Sequence, residues 1–101
     1  MNAQNCLIVK GCKLVMTCQA CPEQYEVFFE GFQIGYLRLR GGSFKAIYPD
    51  VGGELVFTAS PKGDGVFQEA ERFKYLKAAV TALIDKHNSR VLDFQYDKTY
   101  E

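Results

Sequence analysis

Between residues 25 and 59 the chain alternates short strand-like runs with reversals too tight for anything but hairpins, and this constrains the fold more than any other feature. Tyr25–Glu30 and Gln33–Arg40 are separated by Gly31 and Phe32, and Arg40 and Ser43 by Gly41-Gly42. Glycine at the first loop position suits a type II′ turn, because it takes positive φ without a steric penalty. A longer reversal follows at Tyr48-Pro-Asp-Val-Gly-Gly53, where Pro49 presets its own φ and Asp50 can bond nearby amides. Glu54–Ala59 then reads as another strand. Four strands joined by short links make an antiparallel β-meander.

The flanks extend this plan. Residues 6–10 and 13–18 are rich in Leu, Ile, Val and Met around Gly11 and read as two short strands or one bulged strand. From residue 67 to 88 the apolar period changes. Phe73, Leu76, Val80, Leu83, Ile84 and His87 recur at spacings of three and four, which predicts one helix with a single apolar stripe. Glu69 and Glu71 near its start and Lys86 near its end complement the helix dipole, with Asn88 as the stop. Val91–Tyr96 alternates and predicts a final short strand. The fold class is therefore α+β: one domain over residues 1–101, with a long helix packed on one face of an antiparallel sheet.

Two-residue turns fix register, and register fixes which side chains share a face. A turn at Gly31-Phe32 sets Val27 opposite Tyr36 and Tyr25 opposite Arg38. A turn at Gly41-Gly42 sets Arg38 opposite Lys45 and Tyr36 opposite Ile47. One face then collects Phe28, Gly35, Leu37, Leu39, Phe44, Ala46 and Tyr48, a bed for the helix. The other collects Tyr25, Val27, Phe29, Ile34, Tyr36 and Ile47 at one end, and Arg38, Arg40 and Lys45 at the other. One helix cannot cover both. So much bare aromatic surface calls for a cover: the N-terminal strands, a second copy in a homodimer, or a ligand.

Lys and Arg together equal Asp and Glu, giving a formal net charge of zero, which argues against the basic excess typical of nucleic-acid or membrane binding. No apolar run approaches the ~20 residues of a membrane span, and no basic stretch followed by an apolar core marks a secretion signal. The expected compartment is the cytoplasm, with no membrane partner and with Cys6, Cys12, Cys18 and Cys21 as reduced thiols.

Catalytic and metal-binding patterns are weak. Cys18-Gln-Ala-Cys21 has the spacing of half a zinc site or of a redox dithiol, but Cys6 and Cys12 complete no zinc pattern and the pair precedes a strand instead of a helix; the four read as small buried thiols. His87, the only histidine, sits on the apolar stripe with no nucleophile assigned to it. Asp50, Glu54 and Asp64 are the acids of the Gly-rich turns; turn chemistry explains Asp50 and Asp64, and a small enzyme using Asp50, Glu54 or His87 is the third and least favoured reading. No catalytic residue, metal or cofactor is expected. The most suggestive group is Tyr25, Tyr36, Arg38, Arg40 and Lys45, where aromatics and cations share a face. It points to a binding module for a small molecule or protein, with nucleic acid as the second reading through base stacking and phosphate contacts.

The strings Cys21-Pro-Glu-Gln-Tyr25, Gly35-Tyr-Leu-Arg-Leu-Arg40 and Tyr48-Pro-Asp-Val-Gly-Gly-Glu54, with Gly63-Asp-Gly65, Glu71-Arg72 and Tyr75-Leu76, resemble small uncharacterised proteins of bacteria, phages and mobile gene cassettes. The resemblance spans roughly residues 18–84. It implies a compact, freestanding domain encoded on a mobile element, and it transfers no activity.

Overall fold

The computed structural model describes the backbone of residues 6–18 and 23–100 and the side chains of residues 6–17 and 23–91. Six antiparallel strands follow one another in chain order: β1 (Cys6–Val9), β2 (Cys12–Cys18), β3 (Glu23–Phe29), β4 (Phe32–Arg40), β5 (Ser43–Tyr48) and β6 (Glu54–Ala59). One helix, α1 (Glu69–Tyr100), packs across a single face. The meander thus runs through all six strands, with the N-terminal pair continuing it.

The β4–β5 register is the expected one: Arg38 stands opposite Lys45 and Tyr36 opposite Ile47. The β3–β4 register is offset from the expectation, by two positions beside the turn and by one from Val27 onward. The turn residues are Glu30 and Gly31, at φ 51° and 88°, not Gly31 and Phe32. Positive φ at both positions is the type I′ pattern, whose twist matches that of the strands it joins. Phe29 therefore faces Phe32, and an extra residue at Ile34 shifts the pairing so that Val27 opposes Gly35 and Tyr25 opposes Leu37. Magnitudes explain the choice. A non-glycine residue in the left-handed region costs about 1–2 kcal/mol, whereas burying a Val or Phe side chain gains about 1.5–3 kcal/mol each. The offset turns Tyr25, Val27, Phe29 and Ile34 toward the helix and Phe28 away from it.

Two further expectations are corrected in the helix. No glycine or proline follows Gly65, so Asn88 alone does not stop α1, and residues 91–96 continue it in place of the final strand. The stripe is also rotated. Leu76, Ala79, Val80 and Leu83 are buried, Ile84 packs against them, and Phe73 is 61% exposed at the flank beneath Lys77.

Gly35 lies directly beneath Leu83. A Cβ at this position would clash with the end of the Leu83 side chain, so any side chain there makes Leu83 give way. Around it lie Leu14, Leu37, Leu39 and Phe44, all fully buried. Phe44 and Phe67 meet edge to face at 4.9 Å between centroids, and Phe67 stacks on Tyr75.

Candidate functional site

Strand parity sorts the polar groups onto the two sides of the sheet. Among the described residues the one buried charged residue is Glu23, 4% exposed, on the helix side at the start of β3. Its carboxylate accepts from the Phe67 amide at 3.0 Å, from the Tyr25 hydroxyl, and from Arg72 Nε at 2.9 Å and Nη2 at 3.3 Å. Burial alone would raise the Glu23 carboxyl, but donation by Arg72, Tyr25 and the Phe67 amide outweighs it and holds the group below the ordinary carboxylate range. The same network raises the Tyr25 phenol, through burial first and its hydrogen bond to Glu23 second, and raises Arg72, chiefly through its bond to Glu23. Arg72, Tyr25 and the Phe67 amide all donate to Glu23, so this cluster clamps the helix start to β3.

Glu71 makes a second clamp. Its carboxylate accepts from the amides of Lys62, Gly63 and Gln68 at 2.8–3.0 Å. The Gln68 backbone carbonyl in turn accepts from the Glu71 amide, so Glu71 supplies the side-chain half of a capping box with Gln68 as N-cap. These amide donors prevail over desolvation and hold Glu71 low as well. Sequence reasoning missed both clamps. The available signals were a lone acid among the inward positions Glu23, Tyr25, Val27 and Phe29, and the Gln68-x-x-Glu71 spacing.

Other candidate groups are similarly committed. Tyr48 Oη and His87 Nδ1 are 3.0 Å apart, and Phe29 packs edge-on against the His87 ring. Asp50 accepts from the Gly52 amide, and Glu54 pairs with Lys86 at 3.1 Å. Cys12 is buried, which pushes its thiol up; Cys21 and the Cys18 side chain lie outside the described residues. Among the described residues no three acids, histidines or cysteines gather to hold a metal ion, and no helix is long and apolar enough to cross a membrane.

The open side of the sheet differs. Arg38, Arg40, Ser43, Lys45 and Ile47 line a hollow of ≈ 280 Å³ on β4 and β5. Arg38 and Lys45 are direct cross-strand partners, and Arg40 faces Ser43 at the next position on the same side. Among the described residues none of the three cations forms an ion pair. The nearest carboxylates by register and turn, Glu26 opposite Tyr36 and Asp64 beside Gly41, make none with them. Arg38 Nε is buried without a hydrogen-bond partner there. Tyr36 borders the cluster opposite Ile47, its ring fixed by donation to Gln24 Oε1 at 2.8 Å. At the far end of the same face Ile8, Val15 and Phe28 line an apolar hollow beside Lys13.

Of the five residues expected to share a surface, the structure brings together Tyr36, Arg38, Arg40 and Lys45. It places Tyr25 on the opposite face, 1% exposed, as a consequence of the β3–β4 offset. The face is accordingly less aromatic than expected. Compared with protein-family models, with curated proteins and with solved structures, the chain finds no match.

Proposed function

We propose that this chain is a non-enzymatic binding module whose open sheet face recognises an anionic group on a small molecule or a protein partner. One observation carries the reading: Arg38 and Lys45 oppose each other directly, with Arg40 beside them, around a hollow with no acid to pair them among the described residues. Like charges directly opposed across strands cost stability, on the scale of about 0.2–1 kcal/mol per pair. An anion seated between them removes that cost. The non-enzymatic half is supported by the commitment of Glu23, Glu71 and His87 to contacts distant from these cations.

Homodimerisation through this face is the less favoured form, because a two-fold contact centred on the cluster sets cations against cations. Nucleic acid is a second reading, favoured by the fixed Tyr36 ring beside the cations and opposed by the zero net charge. Thermal melts at low salt against a series of carboxylates, phosphates and sulfates test the proposal. At least one anion is expected to raise Tm in the wild type and to leave an Arg38→Ala/Lys45→Ala double variant unmoved. A wild type indifferent to all of them removes the reading. Light scattering across concentrations separates monomer from dimer.

A further inference from the structure

We infer that the hollow between β4 and β5 is built for a phosphomonoester, the dianionic phosphate of a small organic molecule or of a phosphorylated side chain. The inference rests on the anion-binding reading above and narrows its chemistry.

Three features point the same way. The first is charge. Arg38, Arg40 and Lys45 place three cations around one hollow of ≈ 280 Å³. A single carboxylate neutralises one of them, while a phosphomonoester carries about −1.5 to −2 near neutral pH and presents three strong acceptor oxygens.

The second is donor geometry. Two guanidiniums offer planar forks that suit phosphate oxygens, an ammonium offers a compact point charge, and the Ser43 hydroxyl adds a neutral donor on the same wall. Arg38 Nε is already desolvated and unpartnered among the described residues. A buried donor without an acceptor is costly, and a turn of the guanidinium toward a phosphate oxygen in the hollow relieves that cost.

The third is the adjoining wall. Ile47 lines the hollow, and its cross-strand partner Tyr36 presents a ring held in place by Gln24. A bare inorganic ion uses neither. An ester with an organic body lays that body along Ile47 and Tyr36 while its phosphate meets the cations. A phosphodiester carries one charge per phosphate and has chain leaving in two directions, so it matches the single hollow less well than a terminal group does.

The test compares phenyl phosphate, benzoate, a phosphoserine peptide, its unphosphorylated form and a single-stranded oligonucleotide, by calorimetry at low salt on the full chain. Phenyl phosphate is expected to bind at least tenfold more tightly than benzoate. Its affinity should rise between pH 5 and 7 as the second phosphate proton leaves near pH ~6. Lys45→Ala should weaken it about tenfold, and Arg38→Lys, which keeps the charge and loses the fork, by a similar factor. Both residues lie off the core, so circular dichroism should show the wild-type fold in both variants. Binding of the phosphoserine peptide alone identifies a protein source, and binding of phenyl phosphate alone a free metabolite; both outcomes support the inference. Equal affinity for benzoate and phenyl phosphate without pH dependence overturns it and leaves the broader anion reading standing. Oligonucleotide binding that phenyl phosphate does not compete overturns it in favour of a strand-tracking surface. No binding of any anion removes both.

Discussion

Strands β4 and β5 show two different designs on their two sides. The residues facing α1, Leu37, Leu39, Phe44 and Ala46, are fully buried. Where a charge occurs on that side, as at Glu23, it is matched by nearby donors. The residues between them, Arg38, Arg40, Ser43 and Lys45, face the other way and leave their cations unmatched among the described residues. The same backbone carries both, so no local property of the strands accounts for the difference. It shows which side is arranged for stability and which tolerates a stability cost.

The contrast breaks most readily from the covered side. Leu76→Ala and Leu83→Ala each remove a fully buried side chain beneath the helix and should cost about 2–5 kcal/mol; urea melts that overlay wild type would disprove the packing described. Glu23→Gln should cost about 1.5–3 kcal/mol, the scale of hydrogen bonds to a charged group. It should also change the acid limb. Because the folded-state pKa of Glu23 is lowered, its stabilisation is full above the unfolded glutamate value of ~4.3 and is lost as pH falls through the folded value. Stability measured from pH 6 down to pH 2 should therefore fall less steeply in the variant. Some slope should persist, because Glu71 is shifted in the same direction.

Gly35→Ala should cost about 1–3 kcal/mol by overpacking against Leu83. Combined with Leu83→Ala, the two losses should sum to more than the double variant shows, since each substitution makes room for the other. The smallest effect belongs to the open side. Lys45→Ala should stabilise the free protein by about 0.2–1 kcal/mol at low salt, through relief of its opposition to Arg38. High salt should erase that gain. A loss of stability comparable to the core variants would show that Lys45 is structural and that the two sides are not divided as described.

Much of this architecture was legible before any coordinates. Alternation and turn residues are local signals, so the meander, the β4–β5 register and the helix start could be read directly. The β3–β4 register could not, because it depends on a competition between a strained Glu30 and the burial of Tyr25, Val27 and Phe29, which is settled across the whole sheet. For the site, Arg38, Arg40 and Lys45 were legible because a two-glycine turn fixed their pairing. Tyr25 was misassigned by the single offset. Glu23 and Arg72 were invisible as a pair because their meeting depends on how the helix start returns over β3, a long-range relation with no sequence period. The end of α1 was misread for a simpler reason: Leu92, Phe94 and Tyr96 alternate, and alternation alone does not stop a helix that meets no breaker.

Gly35 beneath Leu83 also locates the helix between two tied regions. About 21 Å of helix separates Leu83 from Glu69 at about 1.5 Å per residue, while Lys86, tied to Glu54, lies within one turn on the other side. The helix is therefore tied on both sides of this point, at its start by Arg72 and Glu71, which hold Glu23 and the amides of residues 62, 63 and 68. The bare backbone of a single glycine thus gives Leu83 its seat on β4 between those two ties.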